Sequence, residues 1–136
     1  MKSKMGLEFE KEVCKKLRKV ERRAYTTIGS GAIFNDHDIK SSAHVCQCKA
    51  TDQPMKSISI SIKDIESLVQ LANSSWRDDG IGTKIPLYIN RTSGGDIYVT
   101  LPIEQYLDIF KEMMDYKEEL EKCKEIINGN KNITSQ

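Results

Sequence analysis

The stretch Asp38-Ile39-Lys40-Ser41-Ser42-Ala43-His44-Val45-Cys46-Gln47-Cys48-Lys49-Ala50 decides how the chain is read. It predicts a short strand over 38–40, a tight turn at Ser41-Ser42 and a second strand over 43–50. Side chains of a strand alternate between its two faces. His44, Cys46 and Cys48 therefore share one face and Val45, Gln47 and Lys49 the other. The first set suits a core. The second brings an amide and an ammonium together opposite the incoming Asp38, and an acid, an amide and a lysine have little to offer a core. They suit a metal ion and a phosphate.

Outward from this hairpin, the chain predicts an α/β domain with a central mixed sheet flanked by helices. Leu7, Phe9, Val13, Cys14, Leu17 and Val20 recur at helical spacing, giving a first helix over 4–22, with Glu10 at the edge of the stripe. Residues 24–28 are β-branched and aromatic, a strand, and Gly29-Ser30-Gly31 is a turn. The alternation of Ser57-Ile58-Ser59-Ile60-Ser61 predicts a short strand or extended segment. A helix opening at Ser61 or Lys63 runs to Trp76, with Ile62, Ile65, Leu68, Val69 and Ala72 as its stripe; Trp76 could stack on a base, but closing the helix end against the core is the preferred reading. Strands are expected over 85–90, with Pro86 at an edge or strand start, and over 97–101. Pro102 opens a long C-terminal helix to Ile127. The expected organisation is a core over 1–102, this helix over 103–127, and a frayed tail over 128–136.

The 136 residues suit one domain with a real core. No apolar run approaches the roughly 20 residues that span a bilayer, and the polar N-terminus lacks a signal-peptide core, so the cytoplasm is the expected compartment. Four cysteines without a small secreted framework read as reduced thiols. Cys46-x-Cys48 beside His37 and His44 raises zinc, but no second cysteine pair lies near it, and buried small hydrophobes are the better reading. The net charge of +1 hides polarity: residues 1–23 carry nine Lys/Arg against four Glu, and residues 103–127 eight acids against four Lys. A basic front suits a polyanion; two solvated helix faces are the plainer account.

The chemistry that fits the hairpin is phosphodiester hydrolysis. Carboxylates hold a hard cation through oxygen, the cation activates water, and a lysine stabilises developing charge. Asp38 and Glu10 supply carboxylates, Gln47 an amide oxygen, Cys48 a backbone carbonyl and Lys49 the ammonium. Asp36 is an alternative to Asp38, which is preferred because Ile39 after it starts the strand. Ser30 is a candidate phosphate contact, as are the lysines of the basic front, Lys4, Lys15, Lys16 and Lys19.

These residues resemble a known pattern. Gly6 followed four residues later by Glu10, the small-residue loop Gly29-Ser30-Gly31, Asp38-Ile39, and Gln47-Cys48-Lys49-Ala50-Thr51 are similar to the motifs of the PD-(D/E)xK nuclease superfamily, and within it of the archaeal-type Holliday junction resolvases. The helix over 64–72 and the strand opening Ile85-Pro86-Leu87 continue the likeness, which covers residues 4–101. The resemblance implies a restriction-endonuclease-like fold. It also implies a dimeric, Mg²⁺-dependent endonuclease, with Mn²⁺ as a substitute, acting on branched DNA. Gln47 departs from the usual glutamate, although Gln-x-Lys occurs in restriction-type relatives. That departure keeps two alternatives open, a restriction or repair nuclease on other DNA and an inactive DNA-binding module. The C-terminal helix lies outside the resemblance. Its Ile103, Tyr106, Phe110, Met113, Leu120 and Ile127 follow a coiled-coil-like seam interrupted by Lys117 and Lys124, a contributor to a homodimer.

Overall fold

The computed structural model describes residues 4–21, 23–26, 38–50 and 57–134. Its elements are α1 (Lys4–Leu17), β1 (Ala24–Thr26), β2 (Ile39–Ser41), β3 (His44–Ala50), α2 (Ile62–Asn73), β4 (Ile85–Arg91), β5 (Ile97–Thr100) and α3 (Ile103–Thr134). The architecture is α/β. The strands form one mixed sheet in the order β1-β2-β3-β4-β5, in which only β3 and β4 run parallel. Gly29-Ser30-Gly31, Asp36, His37 and the Pro54 loop lie outside the described residues.

Alternation along β3 divides the core in two. Cys46 points to the face where Phe9, Val13 and Cys14 of α1 meet Ile39 and Ile89, with Cys48 packed alongside. Val45 points to the other face, against Ile65, Leu68 and Ala72 of α2 and Tyr88 of β4. One helix thus covers each side of the sheet, and each fully buried aliphatic or aromatic side chain contributes about 1.5–3 kcal/mol.

Several boundaries move. α1 ends at Leu17 rather than residue 22, because the chain closes in a tight turn: Glu21 N–H donates to Leu17 O at 2.8 Å. Arg18 Nε then donates to Ala24 O at 2.9 Å, tying the turn to β1. Val20, expected on the apolar stripe, is 79 % exposed for this reason. Leu7 and Ile62 also stay outside the core. Ser41 belongs to β2, so the tight turn is Ser42-Ala43. Residues 57–61 form no strand; Ser61 caps α2 instead, its Oγ accepting Asp64 N–H at 3.2 Å. α2 stops at Asn73, and Trp76 behind it is 67 % exposed rather than folded into the core. Pro86 does sit at a strand start: β5 pairs with β4 only from Tyr88 onward. The β4–β5 turn places Gly95 at φ +89°, a left-handed conformation glycine adopts without strain.

The chain divides after Leu101. α3 continues to Thr134, past the expected end at Ile127, so the tail expected to fray is helical. Pro102 provides the first carbonyl, which accepts Gln105 N–H at 3.0 Å. No helix among the described residues is long and apolar enough to cross a membrane.

A buried carboxylate fastens the β2–β3 turn. Glu21 Oε1 accepts Ala43 N–H at 2.8 Å and Ser42 Oγ at 3.2 Å, and lies 3.0 Å from His44 Nδ1. Burial acts to raise the Glu21 pKa, but hydrogen bonding by Ser41, the nearby His44 and the Ala43 N–H outweigh it, and the carboxyl ends below its usual range. A carboxyl depressed on folding stabilises the fold above its unfolded pKa, and that stabilisation is lost as pH falls through the folded value. Unfolding measured against pH should therefore show stability declining from about pH 4.5 downward. Glu21→Gln should be less stable at neutral pH and lose part of that decline; an identical profile would remove Glu21 from this role.

Candidate functional site

Asp38 lies just before β2, where the ladder to β3 begins. Its N–H donates to Cys46 O at 2.8 Å, and its Oδ2 accepts Cys48 N–H at 2.8 Å. The carboxylate thus stands in for a main-chain acceptor and is fixed against β3. Ile39, the first residue of β2, faces α1. Gln47 is half-buried, and Lys49 is exposed. Lys49 Nζ lies 4.0 Å from Asp64 Oδ2 in the first turn of α2. Both side chains are well exposed, and such a pair is worth at most about 1 kcal/mol.

Glu10 comes from the other side. It is 2 % exposed on α1, which covers the Cys46 and Cys48 face. Gln47 and Lys49 thus share the α2 face of β3, Glu10 lies on the α1 side, and Asp38 is fastened to the strand at the Cys48 N–H. Burial chiefly pushes the Cys48 thiol far up, and the negative charges of Asp38 and Glu10 both add to this. Cys46 is pushed up in the same way by burial. Both thiols are therefore held protonated at neutral pH in the metal-free chain.

Does this donor set fit a divalent cation? The carboxylates of Asp38 and Glu10, the amide oxygen of Gln47 and the carbonyl of Cys48 are all hard oxygen donors, which suit Mg²⁺. Among the described residues, no three His, Cys, Asp or Glu side chains converge on one point. A cation here would rest on one or two carboxylates, neutral oxygens and water, the usual pattern for Mg²⁺. Of the other residues expected in the site, Ser30 and Asp36 lie outside the described residues. Lys4, Lys15, Lys16 and Lys19 are all exposed on or just beyond α1.

Sequence reasoning missed Asn90 and Arg91. A cavity of about 240 Å³ opens at the C-terminal ends of β3 and β4, lined by Lys49, Ser57, Ile58, Asn90, Arg91 and Thr92 among others. Asn90 pairs with Lys49 across the parallel ladder. It is 7 % exposed, and its Oδ1 has no hydrogen-bond partner among the described residues. Arg91 Nη1 donates to Glu12 Oε2 at 3.0 Å, and its guanidinium lies 6.0 Å from the centre of the Phe9 ring. The signal for Asn90 was present: a polar amide at an inward position of the apolar run Ile85-Pro86-Leu87-Tyr88-Ile89. Comparison with protein-family models, with curated proteins and with solved structures finds no match.

Proposed function

We propose that this chain is a metal-dependent endodeoxyribonuclease with a restriction-endonuclease-like core, acting on branched DNA as a Holliday junction resolvase. The observation that carries the reading is the Asp38 carboxylate fixed at the Cys48 N–H of β3, the strand that bears Gln47 and Lys49, with the buried Glu10 on the α1 side near Cys48. When bound, a hard divalent cation polarises a phosphate and acidifies a water. Asp38, the Gln47 amide oxygen and the Cys48 carbonyl would hold Mg²⁺ or Mn²⁺, and Glu10 adds a second negative charge. Lys49 neutralises charge developing on the phosphate. Asn90, beside it in the same cavity, offers an amide to a phosphate oxygen. The exposed Lys4, Lys15, Lys16 and Lys19 contribute phosphate contacts that set affinity rather than rate.

The test is cleavage of a labelled four-way junction, a flap and a linear duplex with and without Mg²⁺. Preferential, Mg²⁺-dependent cutting of the junction supports the resolvase reading. Cutting of the others instead supports a restriction or repair nuclease. One observation favours an inactive DNA-binding module: Gln47 carries no charge, and Asp64 partly engages Lys49. Binding to DNA without cleavage in any metal would select that reading.

Gln47→Glu addresses the same point. It adds a full negative charge beside the cation, so cleavage titrated against Mg²⁺ should reach half-maximum at about tenfold lower metal, on the order of 1.4 kcal/mol. Unchanged or weaker metal dependence would take Gln47 out of contact with the ion.

Resolution of a junction needs two nicks in opposed strands, and one site per chain supplies one. A two-fold homodimer supplies both in matched geometry. α3 offers a seam for it: Ile103, Tyr106, Phe110, Met113, Leu120 and Ile127 are all exposed on this helix. Sedimentation should give twice the chain mass at micromolar concentration, and truncation after Met114 should weaken the dimer. A monomer both alone and on DNA would end the paired-nick mechanism.

A further inference from the structure

A second polar cavity, of about 320 Å³, opens at the other end of the sheet. Arg23 before β1, Lys40 of β2 and Lys84 before β4 line it, together with Ser75, Trp76 and Asp78 beyond α2. From Lys84 to Asn90, beside Lys49, the chain advances along β4 by about 3.3 Å per residue, on the order of 20 Å. This cavity is therefore separate from the one at Lys49.

Lys84 is 4 % exposed, an unusual position for a lysine. Its Nζ donates to Ser41 O at 2.7 Å, its one hydrogen bond among the described residues. An ammonium has three donors, so two remain. Burial pushes the Lys84 pKa down and the positive charge of Lys40 pushes it further, while Asp78 and Glu21 oppose this. Two like charges are thus held within each other's field, with Arg23 on the same cavity and Asp78 as the single lining carboxylate among the described residues. Packing gives no reason to gather three cations around a cavity; an anion does. The C-terminal carbonyls of α2 face this end and oppose an anion by about half a charge. Some of them are already engaged, Leu71 O by Ser75 Oγ at 2.8 Å, and the three cations less the Asp78 carboxylate leave two net positive charges that outweigh the remainder.

Trp76 supplies the second half of the site. Its backbone is pinned by a β-bridge to Thr83, and the adjacent Ser75 O accepts Lys84 N–H at 2.8 Å, yet the side chain is 67 % exposed. An indole held bare beside clustered cations is the arrangement that stacks a base while its phosphate is neutralised. We infer that this cavity is a nucleotide subsite, with the phosphate on Lys84, Lys40 and Arg23 and the base on Trp76. The hydrolytic reading of the Lys49 face is not needed for it.

Trp76 is the sole tryptophan, so intrinsic fluorescence reports on this indole alone. Thymidine 5′-monophosphate, thymidine and a twelve-residue oligo-dT are titrated into the full chain without divalent metal. Saturable quenching by the monophosphate or the oligonucleotide, with thymidine at least about tenfold weaker, is expected. Equal affinity for the two phosphorylated probes identifies a free nucleotide as the ligand. Tighter binding of oligo-dT that weakens steeply with salt identifies a nucleic-acid strand. Lys84→Met should weaken quenching at least about tenfold, and Lys63→Ala, an exposed lysine at the opposite end of α2, should leave it unchanged. If Lys84→Met does not fold, Arg23→Ala and Lys40→Ala carry the decision, each expected to weaken binding several-fold. The subsite is overturned if neither phosphorylated probe quenches saturably, or if thymidine matches the monophosphate. It is equally overturned if the folded cation variants all bind as the parent does, or if Lys63→Ala weakens the signal as much as they do.

Discussion

Lys49→Ala is expected to slow Mg²⁺-dependent DNA cleavage by a factor of about 100 to 1,000, the usual effect of removing one group aimed at transition-state charge. DNA affinity should stay within a few-fold of the parent, since affinity comes from many phosphate contacts and Lys49 supplies one. Folding should also be unaffected: the Lys49–Asp64 contact is exposed and long, at 4.0 Å. Asp38 needs a more careful variant. Asp38→Ala removes the acceptor of the Cys48 N–H as well as the charge, and stranding that donor inside the sheet costs about 1–3 kcal/mol. Asp38→Asn retains a carbonyl oxygen for the N–H but loses the negative charge, so it should fold and fail to cleave. Single-turnover cleavage of a labelled junction, with binding measured by gel shift in Ca²⁺, separates the two effects. Cleavage by Lys49→Ala at the parent rate would remove this face of β3 from the reaction.

Phe9→Ala is expected to lower stability by about 3–5 kcal/mol. The ring is fully buried, closing the core on the α1 face against Val13, Cys14, Ile39, Cys46 and Ile89. Its loss leaves a cavity that α1 and three strands cannot collapse together, and the Arg91 guanidinium loses the ring it lies over. With a urea dependence of about 1–2 kcal/mol per molar, the unfolding midpoint should fall by roughly 2 M or more. Leu7→Ala, two residues away on the same helix but 43 % exposed, should cost less than about 1 kcal/mol. Equal losses for the two variants would contradict the packing described for α1.

What was legible in the sequence follows from which forces act locally. Alternation in His44-Val45-Cys46-Gln47-Cys48-Lys49 was enough to assign both faces of β3, because a strand with two covered faces records them in its own residues. The stripe of Ile65, Leu68 and Ala72 located α2 for the same reason. The end of α1 was not legible. It depends on the chain turning back so that Arg18 meets Ala24 O, a contact helical periodicity does not encode, and Val20 continues the apolar spacing into solvent. Trp76 is expected to close the end of α2 against the core rather than to stack on a base, but α2 stops at Asn73 and the chain beyond it is held by the bridge to Thr83, leaving Trp76 exposed. Gln47 and Lys49 share a face, as alternation requires. Which face α1 covers, and so where Glu10 is buried, is a tertiary choice.

The parallel pairing of β3 with β4 has a consequence for how the protein is made. His44 finds its partner only at Ile85, on the far side of α2. A ribosome releases α1, β2 and β3 first, and until β4 emerges the inner edge of β3 offers unsatisfied N–H and C=O groups beside the apolar Val45 and Cys46. Such an edge is a template for pairing with other nascent chains. The nucleus of folding therefore has to await Tyr88 and Ile89, which complete the two cores from opposite sides of a single strand. Non-local closure of this kind belongs to the slower end of the folding range for a chain of this size, and α2, capped by its own Ser61, is the part able to assemble while the rest waits.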